Sequence, residues 1–99
     1  MLTKFQKEVL ALTVKIPKGK IATYGEIAKA LGSSPRAVGQ ALGANPHPIK
    51  IPCHRVVKSD GNLGGYSGGV EKKKKLSQRE GIKVKRNKII SFKDIIYKF

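Results

Sequence analysis

Ile51, Pro52, Cys53, His54 and Arg55 set the single thiol of a 99-residue chain beside an imidazole and a guanidinium. A free cysteine has a pKa of about 8.5, so a neighbouring base or cation is needed before much thiolate exists at neutral pH. One cysteine forms no internal disulfide, and two histidines do not complete a four-ligand zinc site. The two readings left are a nucleophile in a reducing, cytoplasmic setting and a buried structural thiol.

Successive side chains of an extended strand point to opposite faces, so Cys53 and His54 meet only through a backbone bend or through water. The water relay is the easier geometry. In it His54 takes a proton from a water that has taken one from Cys53, and a carboxylate steadies the imidazolium. The acids are Glu8, Glu26, Asp60, Glu71, Glu80 and Asp94, and spacing does not choose among them.

The elements that must hold this segment are legible around it. Phe5, Val9, Leu12 and Ile16 have helical spacing after Thr3, a good N-cap, which predicts a helix over 4–16 that Pro17 and Gly19 end. Thr23 and Glu26 stand as a capping box before a second helix stopped by Gly32. Pro35 then opens a third over Arg36 to Gly43, giving helix-turn-helix spacing. Asn45 to Pro48 form a stiff connector into an extended segment, Ile49 to Val57, broken by Pro52. Val56 to Leu63 read as a hairpin or wing turning at Asp60 and Gly61. Gly64 to Gly69 are a candidate binding loop, and Val70 to Glu80 a Lys-rich helix stopped by Gly81. The last residues, with Ile89, Ile90, Phe92, Ile95 and Ile96, fit no single pattern.

Composition agrees with one globular domain over 1–99: 39% hydrophobic, 27% charged and no Trp. The formal charge is +15, spread through both halves of the chain, and points to a polyanionic partner, with DNA or RNA foremost. A Lys-rich surface of the thermophile kind is the plainer alternative. The third helix offers small residues, Ala37, Gly39 and Ala41, with Arg36 and Gln40 as its long donors. That suits close, sequence-tolerant approach to a minor groove better than base reading in the major groove. No apolar run is long enough for a membrane span, and the charged start MLTKFQKEVLAL is unlike a signal peptide. No membrane association is expected.

PCHRVV at 52–57 resembles the active-site motif of the O6-alkylguanine-DNA alkyltransferase family. TYGEIAKALG, PRAVGQALGANP, NPHPIKIPCHRVV, GGYSGG and LSQREG follow in the family's order across 23–81. The resemblance implies a mostly α fold with a small β wing, the winged helix-turn-helix catalytic domain of that family without its N-terminal domain. It implies Cys53 as alkyl acceptor, His54 and Glu80 as the rest of the relay, and Asn45 as the residue holding the turn around the site. Tyr24 is implied to drive rotation of the damaged nucleotide and to donate toward the guanine ring. Ser67 is implied to approach O6, and the carbonyls of Cys53 and Val56 to accept from the exocyclic amine. Arg36 is implied to fill the base stack, with Ala37, Gly39, Gln40 and Ala41 completing the DNA-binding helix. Lys50 stands where the family commonly has an apolar residue.

The implied activity is irreversible, single-turnover transfer of an alkyl group from O6-alkylguanine in double-stranded DNA to a monomeric protein, with no metal and no cofactor. The competing readings are an alkyltransferase-like protein that binds lesions without transfer, which Cys53 argues against, and a winged-helix transcription factor, which the absence of base-reading side chains on the third helix argues against.

Overall fold

The computed structural model describes residues 2–45, 51–66 and 69–99. Helix α1, Lys4–Val14, starts at Thr3, whose Oγ1 accepts from the Gln6 N–H while the Gln6 side chain accepts from the Thr3 N–H. This capping box satisfies two donors that the first turn leaves open. The helix ends earlier than its periodicity predicts. Pro17 disfavours helical backbone at Ile16, and the chain closes with the Ile16 N–H on the Thr13 carbonyl at 3.1 Å.

Strand β1, Ala22–Thr23, runs directly into helix α2, Tyr24–Leu31, and Thr23 Oγ1 caps the helix by accepting from the Glu26 N–H at 3.0 Å. The reciprocal half of the expected box is not made. The Glu26 carboxylate lies instead 3.9 Å from Lys98 Nζ. Gly32 ends α2 in the left-handed region at φ 66°, and Ser34 caps helix α3, Pro35–Gly43, through its Oγ. The predicted helix-turn-helix therefore forms, with Val9, Leu10, Ile27, Ala28, Val38 and Leu42 buried in the core around it. Full burial of side chains such as Ile27 or Val38 contributes roughly 1.5–3 kcal/mol each.

Two expectations are corrected. Within the segment expected to be extended, Cys53–Arg55 form a 3-10 turn after Pro52, and the strand that follows is confined to Val56–Val57, strand β2. This strand does not open a hairpin. It pairs in parallel with β1, Ala22 opposite Val56 and Thr23 opposite Val57, buried on both strands as central parallel pairs are. The turn at Asp60 and Gly61 exists, with the Lys58 N–H on the Asn62 carbonyl at 2.9 Å, but the outgoing residues pair elsewhere.

Their partner is the segment that periodicity could not assign. After helix α4, Val70–Arg79, and Gly81 at φ 85°, strands β3, Val84–Lys85, and β4, Lys88–Ile89, form the antiparallel hairpin of the wing. The Leu63 N–H bonds the Asn87 carbonyl and the Ile89 N–H the Gly61 carbonyl, both at 2.9 Å. A second apolar cluster, Ile21, Val57, Leu63, Ile82 and Ile89, lies beneath.

Candidate active site

Cys53 opens the 3-10 turn, its own N–H on the Ile51 carbonyl at 2.7 Å and the Arg55 N–H on the Pro52 carbonyl at 2.9 Å. Asn45 sits at the end of α3, buried, and its Nδ2 donates to the Ile51 carbonyl at 3.0 Å, tying the helix-turn-helix to the turn that carries the thiol. The Cys53 carbonyl accepts from the Val56 N–H, which leaves it one further lone pair. Cys53 is only 6% exposed. It is not sealed, however: it lines a cavity of about 390 Å³ together with Tyr24, Gly39, Leu42, Gly43, Gly65 and Tyr66. A cleft of this size lies in the range of small-ligand pockets.

His54 Nε2 lies 3.1 Å from Glu80 Oε2, and His54 Nδ1 is buried with no hydrogen-bond partner among the described residues. Donation from Nε2 to the carboxylate assigns the tautomer and leaves Nδ1 as the acceptor of the neutral ring. Burial pushes the imidazole below its usual pKa, against the opposing pull of Glu80, so the ring is neutral and basic at neutral pH. Residues in a 3-10 turn are about 120° apart around the axis. His54 therefore neither opposes Cys53, as in a strand, nor lies over it.

Glu80 follows the last turn of α4 with its side chain 10% exposed. Burial by itself raises the carboxyl, and hydrogen bonds from Arg55 and His54 outweigh this and hold it below the usual carboxylate range. Arg55 grips it with Nε at 2.9 Å from Oε1 and a terminal nitrogen at 2.6 Å from Oε2, while its other terminal nitrogen donates to the Ile16 carbonyl at 2.7 Å. The guanidinium that sequence places beside the thiol thus points to the carboxylate and to the end of α1.

Tyr24, first residue of α2, stands between two spaces. It lines the inner cavity, and with Pro35, Arg36, Gly39, Lys58, Ser59 and Gly65 it lines an outer one of about 430 Å³. Burial, then the nearby Cys53, raises its pKa, so its hydroxyl keeps its proton. Gly64 adopts φ 71°, and a Cβ there would stand 3.2 Å from Tyr24 Oη, so this loop needs glycine both for its backbone and for the close approach.

The DNA-binding residues expected on α3 separate. Arg36 and Gly39 line the outer cavity, Gln40 is exposed and Ala37 half-buried. Ala41 is buried in the core at 2% exposure with its methyl packed inward, which leaves its backbone for the expected contact. The Val56 side chain is likewise fully buried, which leaves only its carbonyl for the expected contact. Ser67, Lys50 and the connector Pro46 to Pro48 lie outside the described residues.

Sequence reasoning missed Lys73. This lysine of α4 is fully buried, its Nζ 3.1 Å from the Gly65 carbonyl and 3.4 Å from Tyr24 Oη. Burial lowers its pKa to about 8, and the nearby Cys53 opposes that shift. An ammonium donating to the phenol oxygen turns the Tyr24 proton away from it and stabilises a phenolate. The available signal is helical spacing back from Glu80, since Lys73, Ser77 and Glu80 share one face, whereas the run Lys72 to Lys75 hides which lysine turns inward.

Comparison with known proteins shows the family. The family described as 6-O-methylguanine DNA methyltransferase, DNA binding domain, matches residues 4–82. The chain belongs to this family. It is 51% identical over 80 residues to the methylated-DNA--protein-cysteine methyltransferase of Methanothermobacter thermautotrophicus, covering 81% of this chain and 46% of that protein. Among solved structures it resembles Mycobacterium tuberculosis OGT in complex with DNA, at TM-score 0.77 and 44% identity over 81% of this chain and 51% of that one. It also resembles S. pombe Atl1 in complex with damaged DNA containing O6-carboxymethylguanine, at TM-score 0.84 and 28% identity over 100% of this chain and 99% of that one. The chain spans about half the length of the curated methyltransferases it matches. The alkyltransferase fold, helical with a small β wing, is thereby confirmed.

Proposed function

We propose that this chain repairs DNA by moving an alkyl group from the O6 of guanine to Cys53. The observation that carries the reading is the placement of Cys53 on the wall of a cavity, with a neutral neighbouring His54 held by Glu80. Alkylated O6 is enclosed in a duplex, so the nucleotide must swing out, at a cost of a few kcal/mol that is lower for a weakened pair. The outer cavity, floored by α3 and edged by Arg36 and Lys58, takes the duplex along its minor groove with little sequence preference, and Arg36 fills the space left in the stack. The inner cavity takes the base.

His54 Nδ1 accepts the thiol proton through a water. The sulfur attacks the alkyl carbon, an S–C bond forms as the O6–C bond breaks, and the leaving guanine takes a proton from Tyr24. Imidazolium and phenolate then neutralise each other by proton return. The product thioether has no carbonyl for water to attack, so each monomer acts once. The protein is a single-turnover methyltransferase that works on DNA in a reducing, cytoplasmic setting.

A second reading, recognition of lesions without transfer, rests on the likeness to Atl1 along the whole chain. Intact-protein mass spectrometry after incubation with a duplex carrying O6-methylguanine separates the two. One methyl group per chain, lost in the Cys53→Ala variant while lesion binding persists, is expected. Tight binding with unchanged mass overturns transfer, and a methylated Cys53→Ala protein overturns the nucleophile.

A further inference from the structure

The family match ends at residue 82, and the chain continues into a segment rich in exposed basic residues: Lys83, Lys85, Arg86, Lys88, Lys93 and Lys98, against Asp94 alone. This is not a loose tail. Val84, Ile89, Phe92, Ile95 and Ile96 pack into the second apolar cluster, and the Ile21 N–H bonds the Ile95 carbonyl at 3.0 Å.

The hairpin itself breaks two local rules on one face. Lys85 and Lys88 are direct cross-strand partners, so two like charges stand side by side where an opposite pair would stabilise the ladder. Between them Arg86 and Asn87 adopt φ 52° and 62°. A two-residue turn of this kind favours Asn and Gly, and a long cationic side chain at its first position is disfavoured. Such conflicts without an internal compensation mark functional surfaces, and three clustered cations are relieved by an anion. The hairpin is also anchored to the site. The bond from Leu63 to the Asn87 carbonyl places the turn two residues from Gly65, which lines both cavities, and Lys58 at the outer cavity belongs to the turn paired with β4.

We propose that Lys85, Arg86 and Lys88 form a second phosphate-binding site that grips the sugar-phosphate backbone of the same duplex beyond the nucleotide held at Cys53. The choice of DNA as the polyanion rests on the alkyl-transfer reading above. Each phosphate that the protein no longer neutralises lowers the slope of log binding constant against log salt by about 1.

The test compares K85Q/R86N/K88Q with a matched triple on α1 and its C-cap, K4Q/K7Q/K15Q, whose side chains are also exposed. Asn suits the left-handed backbone at 86, and removal of the like-charge pair is expected to leave the melting temperature unchanged or raised. Binding is measured over a salt series on a duplex with one central O6-methylguanine and on the same duplex unmodified. The hairpin triple is expected to show a slope shallower by about 2–3 on both duplexes, the α1 triple by less than 1. Unchanged slopes overturn the proposal. So does an equal decrease in both triples, which makes the charge diffuse, or a decrease on RNA with none on duplex DNA. Methyl transfer from the lesion duplex, read in parallel on the wild type, separates the two claims: a shallower slope with no transfer upholds the phosphate site and sinks the repair reading.

Discussion

Replacing Lys73 by Met tests how the pocket wall is built. The wild-type ammonium carries a penalty: the drop from the ordinary lysine value of 10.5 to about 8 corresponds to about 3 kcal/mol against the folded state while Lys73 is charged. Met keeps the length and removes the charge but leaves the Gly65 carbonyl unpaired, costing about 1–3 kcal/mol. The two effects oppose, so near pH 7 the variant is expected within about 2 kcal/mol of wild type. The sign then shows in pH dependence. Between pH 8 and 10.5 the unfolded lysine binds the proton more tightly than the folded one, so this group makes wild-type stability rise with pH. The variant lacks that rise, and subtracting the two urea-unfolding curves cancels the other lysines. A wild-type gain of up to about 3 kcal/mol relative to Lys73→Met is expected across that window. Loss of a charge-assisted hydrogen bond to Tyr24, about 1.5–3 kcal/mol, slows transfer roughly tenfold to a hundredfold. Parallel stability curves together with an unchanged transfer rate refute the account of Lys73.

Glu80→Gln removes the carboxylate shared by Arg55 and His54 and is expected to destabilise by about 3–5 kcal/mol. Because the folded Glu80 pKa lies below 4.5, its contribution is present above that value and disappears as pH falls through the folded one; the acid limb of urea unfolding should flatten in the variant. Gly64→Ala forces a side chain against Tyr24 at φ 71°, with an expected cost of about 1–3 kcal/mol and slowed transfer at little change in duplex binding; a fully active, equally stable variant contradicts the close approach. Arg36→Ala, at an exposed position, should keep stability within about 0.5 kcal/mol and slow transfer from the duplex far more than from free O6-methylguanine base, with equal slowing counting against a role in extrusion.

What was legible in the sequence is what local chemistry decides. Thr3, Thr23 and Ser34 cap helices from side-chain oxygens, and Gly32 stops α2 through its backbone freedom, none of which needs tertiary context. The candidate site was legible for the same reason at Cys53 and His54, which are neighbours, while Glu80 and Tyr24 entered through motif resemblance. The rest depends on residues distant along the chain. Val56–Val57 alternate no more than a hairpin strand does, and only the approach of Ala22–Thr23 makes them a parallel pair. The hairpin at 84–89 hid because Arg86 takes the first turn position, with no Gly beside Asn87, and lysines take the facing positions where opposite charges would have announced it.

In the proposed reaction the shared carboxylate is what lets a buried thiol give up its proton. Arg55 and Glu80 together are neutral, and burying an ion pair costs least when its remaining donors are satisfied, as the Ile16 carbonyl does for Arg55. Against that neutral pair a proton arriving on His54 meets an ionised oxygen already fixed at 3.1 Å, and no side chain has to move to receive it. Burial raises the Glu80 carboxyl, and the hydrogen bonds from Arg55 and His54 together hold it below the usual carboxylate range, so that a counter-charge is already in place for an imidazolium. In the proposed transfer Arg55 acts without touching the base: with His54 it keeps Glu80 ionised to face the ring that takes the thiol proton, and by donating to the Ile16 carbonyl it ties the 3-10 turn to the end of α1. On the proposed reading, transfer then removes the thiolate that called for the imidazolium, and the resting charge state returns around an alkylated sulfur.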